Sequence, residues 1–593
     1  MKHTNKLFAI LLAVVMIVVL ALPMSFAADE PSTSRENDLR VVVMSDMHTL
    51  PESMIKGTAD YQHAIDLDQK VFNESEAILD TQLQQVRASQ PDVLLLNGDI
   101  TKDGEYAAHK SLATKLKQLK KDLPGLKVYV TNGNHDINNP AAKNFNTADG
   151  KAVKAKMTTQ KDFRNLYKDV TWNDSSVKAT YTPPEGAQAG ALSYVARPKK
   201  GFTVIVIDSN CYTSDNTSDG EQLCEVRGNI PADLLKWAQR QARAARKRGD
   251  TVIGMMHHGV VSHFTQEATI LGHFLVDDFR NVSTKLADAG MHYVFTGHQH
   301  SQDVAVMRTE KGNTLYDIET GSSITYPCPM RAVWFLREGS AKTDNGWKET
   351  VKGSSIKNLS IAHTDPQTGE YVSIGDMTAY AKERGLSPAV ISAVLKDKLY
   401  WSLPNYPAEL DTVIDKLIPD LCNIPVTDDG KHTLMDIVNY ANQSHQGGTD
   451  NGQDPTWVKE AKKNVAENRF VAALTDTLCK DLAVLTGQGV NKLTKTDLVQ
   501  GPAVDLLYHS LFGAAHVSYY TVPQIAKDLD EFLVKTLDSM TNDKNYPNDN
   551  AFSITGANTV REGKANWSSL DNGISDKNLV QKLIYALLGN GNG

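Results

Sequence analysis

The chain has 593 residues, 41% hydrophobic and 22% charged, with a formal net charge of −8. Hydrophobic cores stop growing at roughly 250–300 residues, so more than one domain is expected, and the ordinary apolar-to-charged balance excludes a disordered chain, a collagen-like repeat and a bundle of membrane helices. A moderately acidic surface argues against non-specific binding to nucleic acid polymers or anionic lipid, while leaving room for a small phosphate ester drawn in by metal charge.

At the N-terminus, Lys2 and Lys6 precede an uncharged run from Leu7 to Leu22, followed by Ser25 and Ala27. This is the pattern of a secretory signal peptide over residues 1–27, cleaved near Ala27. The run is shorter than the roughly 20 residues a bilayer needs, so a secreted or cell-envelope protein without a transmembrane domain is expected. None of the five cysteines forms a CxxC, and Cys211 with Cys224 is the best candidate for a disulfide.

From Leu39 onward, short apolar runs end in polar clusters and are followed by stretches of helical period, which is the signature of an α/β layered fold. Buried strands are predicted at Leu39–Met44, Val93–Leu96, Val128–Val130, Phe202–Ile207, Thr251–Met256 and Tyr293–Phe295. Helices are predicted at Asn73–Ser89, Glu105–Lys121, Pro231–Arg248 and Phe279–Ala289. The third opens on a proline and ends in basic residues before Gly249, the expected signals at both ends. Beyond His300, Val304–Met307, Thr314–Glu319 and Ala332–Phe335 read as antiparallel strands completing a second sheet, with Gly312-Asn313 as a hairpin turn. Residues 36–340 are thus expected to form one domain, 341–365 a polar linker, and 366–593 a mainly helical domain. Its helices are predicted over 388–399, 409–417, 433–442, 457–485 and 522–539, interrupted by a polar loop at Gln443–Pro455.

Five motifs directly follow predicted strands: Asp46-Met47-His48, Gly98-Asp99, Gly133-Asn134-His135-Asp136, His257-His258 and Gly297-His298-Gln299-His300. The carboxyl ends of strands in an α/β sheet form one rim, so residues distant in sequence converge there. Imidazole nitrogen mixed with carboxylate and amide oxygen suits Mn, Fe, Co, Ni or Zn, and the lack of thiolates disfavours a closed structural zinc site. Each motif alone is weak, since Gly-Asp is a common turn; their joint occurrence, each at a strand end, carries the weight.

Over roughly residues 38–337 this series resembles the calcineurin-like metallophosphoesterase superfamily, with its D-x-H, GD, GNH[DE], H and GHxH motifs, and no ligand position is missing. The resemblance implies a two-sheet αββα sandwich with metals at the strand carboxyl ends. It assigns Asp46, His48 and His300 to one metal, Asn134, His257 and His298 to the other, and Asp99 to a bridge. His257 is preferred to His258 because the strand runs straight into it, leaving His258 behind the ligands or facing the substrate. His135 resembles the family histidine that reaches substrate without ligating metal, and Asp136 would hold it charged, or else cap a turn. Two cations about 4 Å apart clamp a phosphate ester and lower the pKa of a bridging water.

Lys102 stands where purple acid phosphatases carry a tyrosine, so a tyrosinate-iron enzyme is not expected. The form GDITKDGE and the paired histidines resemble the branch of class III cyclic nucleotide phosphodiesterases and glycerophosphodiesterases, which favours a phosphodiester substrate. A phosphomonoesterase or nucleotidase of the same superfamily stays open, as does a cell-envelope binding protein with a non-catalytic metal domain, although no ligand is lost. Loops at 138–190, 211–224 and 260–275 are expected to shape the pocket. His263 and His273, in the last of these, are not counted as ligands. The C-terminal domain is expected to contact a partner or cover the active site.

Overall fold

A computed structural model describes residues 36–217, 220–265, 267–339, 347–393, 396, 409–466, 533–543 and 549–555. The expected signal peptide, Cys479 and parts of the helices expected over 388–399, 457–485 and 522–539 lie outside the described residues.

In chain order the strands are β1 (Leu39–Met44), β2 (Val93–Asn97), β3 (Lys127–Thr131), β4 (Lys143–Asn144), β5 (Val153–Lys154), β6 (Val177–Thr180), β7 (Tyr194–Ala196), β8 (Phe202–Val206), β9 (Asn210–Asn216) and β10 (Gln222–Gly228). They continue with β11 (Thr251–Met255), β12 (Tyr293–Thr296), β13 (Val304–Arg308), β14 (Thr314–Glu319), β15 (Met330–Gly339), β16 (Trp347–Ile356), β17 (Ile361–Thr364), β18 (Tyr371–Ile374) and β19 (Ala551–Thr555). One sheet has the order β19-β16-β15-β1-β2-β3 and the other β13-β14-β12-β11-β8-β7-β6. Within them, β1-β2-β3 and β8-β11-β12-β14 are parallel.

Alternation along each strand shows how the layers stack. Val41 and Val43 of β1 and Leu95 of β2 pack between the sheets with Val204, Phe295 and Phe335. Val42, Met44 and Leu94 face the other way, onto Leu83 and Leu116 of helices Ser75–Ser89 and Tyr106–Asp122. In the second sheet Ile205, Val252 and Val294 likewise pack on helices Ala232–Lys247 and Phe279–Ala287. The result is the αββα sandwich, and its central strands are unbroken apolar runs because both faces are covered. Each fully buried Leu, Val or Phe contributes roughly 1.5–3 kcal/mol.

Three expectations about the chain's course are corrected. Ala332–Phe335 does not join the second sheet; it lies in β15, antiparallel to β1, because β13 already occupies the far edge of β14. Residues 341–365 are not a linker throughout: β16 pairs with β15 from Met330↔Ile356 to Gly339↔Trp347, and β17 begins the hairpin with β18. Finally β19, from the expected helical domain, pairs with β16 and buries Phe552 and Ile554 between the sheets. Glycine at 353 makes room for that strand, since a Cβ there would lie 2.7 Å from Phe552 Cδ1. The remaining described C-terminal residues are mainly helical, including Glu409–Cys422, Leu434–Gln446 and Thr456–Ala466. No helix among the described residues is long and apolar enough to cross a membrane.

Cys211 and Cys224 are not joined; both are free thiols. They lie on the β9–β10 hairpin, where Cys224 faces Tyr212, and adjacent strand residues point to opposite faces.

Candidate metal centre

All five motifs emerge from parallel strands. Asp46 and His48 follow β1, Asp99 follows β2, and Asn134 and His135 follow β3 of the first sheet; His257 follows β11, and His298 and His300 follow β12 of the second. The sandwich brings these loops to one edge, where the side chains form two groups. In one, His48 Nε2 lies 3.2 Å from His300 Nε2, which is 3.3 Å from Asp46 Oδ1. In the other, His257 Nε2 lies 3.1 Å from both Asn134 Oδ1 and His298 Nδ1. Asp99 stands between them, its Oδ2 3.2 Å from His257 Nε2 and 3.8 Å from His48 Nε2.

These contacts pair acceptors with acceptors. A proton can satisfy one imidazole–imidazole or imidazole–carboxylate pair, whereas a cation satisfies all the donors of a group at once. The donor set therefore fits two metal ions. Supporting bonds aim the ligands. His257 Nδ1 donates to the Asn97 carbonyl at 3.0 Å, which turns Nε2 and its lone pair into the site. Asp46 accepts from the His298 amide at 3.1 and 3.0 Å, and Asp99 Oδ1 accepts from the His135 amide at 2.8 Å.

Electrostatics agree with ligation. Burial holds His48 and His298 well below the usual imidazole range, as neutral ligands require. Burial opposes the charge on Asp99, but the neighbouring His257 and His135 outweigh it and hold the carboxyl well below its usual range. Burial likewise opposes a proton on His257, yet Asp99 lifts that imidazole to about 9, and a cation held there would take that proton's place.

The loop backbones are tightly constrained. Asp46, His48, Asp99, His298 and His300 have φ of 48, 38, 46, 76 and 64°, the left-handed region that side chains other than glycine seldom adopt. Such outliers gather where surroundings over-determine them, as at functional sites. The motif glycines have a steric reason: a Cβ at Gly133 would fall on the Asp99 carboxylate, and one at Gly297 on Asp46 and Ser45.

His135 sits at the rim, its ring 4.8 Å from that of His48. Its Nδ1 donates to the Lys102 carbonyl at 2.8 Å and to Asp103 Oδ1 at 3.1 Å, which leaves Nε2 to meet a substrate. Burial works against its protonation, but Asp99 and Asp103 lift it to about 9. The orienting carboxylate is therefore Asp103, and the expectation for Asp136 is corrected. Asp136 is fully buried and accepts from the amides of Ile100, Thr101 and Gly133, so it ties the Gly98-Asp99 loop to the Gly133-Asn134 loop. It caps a turn because its carboxylate points back along the chain, away from its neighbour's ring.

His258 does not face a substrate either. Its Nδ1 is 2.9 Å from Ser209 Oγ, its Nε2 donates to the Val226 carbonyl at 3.0 Å, and its ring packs 4.6 Å from that of His298. Both nitrogens being engaged, it braces the ligand loop. Asp103 and Asn210, whose amide donates to the Gly133 carbonyl at 2.7 Å, were missed by sequence reasoning. The first lay in view within GDITKDGE; the second had no signal, since only the fold brings β9 to that loop.

Residues 39–302 match the family model described as calcineurin-like phosphoesterase. No curated protein matches the chain. Among solved structures, similarity is found to a dimetal phosphatase from Danio rerio, with 12% identity, 57% of this chain and 98% of that chain covered, and a TM-score of 0.35. A second is GAP50, the anchor in the inner membrane complex of Plasmodium, with 11% identity, 63% and 98% covered, and a TM-score of 0.23.

Proposed function

We propose that this chain, a metal-dependent phosphoesterase carrying a calcineurin-like phosphoesterase domain, is exported and hydrolyses a phosphodiester at a dinuclear centre. In this reading Asp46, His48 and His300 hold one ion, Asn134, His257 and His298 the other, and Asp99 both. The observation that carries it is the position of Asp99 Oδ2, 3.2 Å from His257 Nε2 and 3.8 Å from His48 Nε2. When bound, such a pair would supply positive charge to the phosphoryl oxygens and acidity to a water at the site.

The chain's own residues do the rest. Asp99 adds negative charge that keeps two cations together in a buried site. His135, outside the ligand set, presents Nε2 at the rim, where it donates a proton to the departing oxygen or a hydrogen bond to the phosphate. Asp103, through Nδ1, fixes the ring and stabilises its protonated form. Asp136 and Asn210 keep the Asn134 loop in register with Asp99. The diester preference rests on the loop form GDITKDGE and on the paired histidines His257 and His258; export rests on the character of residues 1–27.

The test is hydrolysis by the chain lacking residues 1–27, loaded with Mn, of bis-p-nitrophenyl phosphate against p-nitrophenyl phosphate. The diester should turn over faster and Asp99→Asn should abolish both activities. A reversed order refutes the diester assignment alone, and an active Asp99→Asn enzyme refutes the dinuclear centre.

A further inference from the structure

Away from the proposed active centre, a second set of metal-ligating side chains is buried where the C-terminal segment meets the sandwich. The polar loop after helix Leu434–Gln446 folds back on the segment that leaves His300: Gln302 donates its amide to the Gln446 carbonyl at 3.2 Å. This contact encloses Asp303, His445 and Asp450, none more than 3% exposed, each offering one ligand atom within 4.8 Å of the others. Asp549, preceding β19, closes the same place and is 1% exposed; its Oδ1 accepts the Val304 amide at 2.9 Å.

Buried carboxylates demand partners, and these are under-supplied. Asp303 Oδ1 and Asp450 Oδ1 have no hydrogen-bond partner. His263 donates to Asp303 Oδ2 at 2.6 Å but is shared with Asp317 at 3.6 Å and Glu319 at 3.7 Å. Arg331, fully buried beside them, donates to the carbonyl oxygens of Asp549 and Glu319. Two carboxylates with orphaned oxygens next to an imidazole form an incomplete set that one divalent cation completes.

The histidine has the orientation such an ion requires. Nε2 lies 3.4 Å from Gln299 Oε1, to which it donates, and this leaves Nδ1 as the ligating atom, 3.3 Å from Asp450 Oδ2. Two donors about 2.1 Å from a tetrahedral ion stand about 3.4 Å apart. One imidazole with carboxylates selects a borderline ion of the Zn or Mn kind over Ca or Mg. We propose that Asp303, His445 and Asp450, with Asp549 beside them, bind a third metal ion that fastens the C-terminal segment to the phosphoesterase domain. Burial, and for Asp549 the neighbouring Asp303 and Asp450, raise the Asp450 and Asp549 carboxyls, the burden a cation relieves. The ion also steadies the proposed active centre, because Gln299 stands between His298 and His300.

The experiment counts metal by inductively coupled plasma mass spectrometry in the full mature chain, saturated with Zn or Mn and desalted. Wild type should carry three ions, and Asp450→Asn and His445→Gln two. The triple variant Asp46→Asn/Asp99→Asn/His257→Ala, which removes a ligand from each half of the dinuclear centre as well as the group between them, should keep the third ion. Equal counts in wild type and Asp450→Asn, with both folded by circular dichroism, overturn the proposal. Should neither single variant fold, the triple variant decides: one ion retained supports the third site, and none refutes it. A wild-type count of one that Asp450→Asn removes and Asp99→Asn spares supports the third site while refuting the dinuclear reading.

Discussion

Gly133→Ala is the smallest change that should disable the centre without removing a ligand. Gly133 does not have a positive φ, so alanine is compatible with its backbone and the effect is purely steric. A Cβ built there lies 2.7 Å from Asp99 Cγ, with the Asp99 amide and Oδ1 nearer still. Non-bonded carbons rest about 3.5–4.0 Å apart, so the Asp99 carboxylate or the Asn134 loop must move by about 1 Å. That carboxylate is the group reaching both donor clusters, and a displacement of about 1 Å costs roughly 10²-fold in rate. Mn-dependent hydrolysis of bis-p-nitrophenyl phosphate should therefore show kcat/KM down about 100-fold, with fewer than two ions at the dinuclear centre. Gly125→Ala, with nothing within 4 Å of the added carbon, is the control and should be unchanged. Wild-type rate and metal content in Gly133→Ala would refute the placement of Asp99 as the bridging group.

His257→Ala should lose one ion and nearly all activity, while His258→Ala, which removes bonds to Ser209 and Val226, should lower Tm more than it lowers metal content. His135→Ala should cut kcat by about 10²-fold or more with the metal count unchanged; a falling count would move His135 into the ligand set. Asp103→Asn should give a smaller loss of the same kind, and Asp136→Asn, in the loop tie, a fall in Tm by calorimetry. Burial opposes ionisation of Asp174, but hydrogen bonds from the Ser176 amide, Lys120 and Lys127 outweigh it and depress its pKa. Its contribution, about 2 kcal/mol, is then complete above the unfolded aspartate value near 3.9 and lost as pH falls below it. Asp174→Ala should lower stability at pH 7 and flatten the acid limb of a denaturation series.

The candidate site was legible because every chemistry-bearing motif directly follows a strand covered on both faces. Such strands show as unbroken apolar runs, and a run that stops at Asp46, Asp99 or His257 marks a strand end where side chains reach the rim. What was not legible depends on pairing over long distances. Periodicity shows that Val333 and Phe335 are buried but not beside which sheet, and β15 was placed wrongly for that reason. Strand β16 reads WKETVKGSSI, too polar to announce itself, and its β19 partner lies about two hundred positions onward. The exchange of Asp136 for Asp103 has a local cause: adjacency in sequence says little about direction when a turn points one carboxylate toward amides and another toward the ring.

The strained loops and the donor clusters bear on one another. Backbone held in the left-handed region costs on the order of 1–3 kcal/mol at a residue, and five such residues carry candidate ligands. Buried imidazoles and carboxylates that face one another add a desolvation cost that few hydrogen bonds offset. Neither cost is repaid by apolar packing, because the ligands sit at the rim, beyond the ends of the core strands. The compensation must come from what binds there, and a ligand that binds only the folded chain stabilises it by RT ln(1 + [L]/Kd), about 4 kcal/mol at a thousandfold excess over Kd. Chelation should therefore lower Tm as well as abolish hydrolysis, and the apo chain should become protease-sensitive first in the loops around Asp46, Asp99 and His298. An apo chain with the melting temperature and cleavage pattern of the metal-loaded form would mean that hydrogen bonds alone hold these loops, and that the site's strain is not linked to metal.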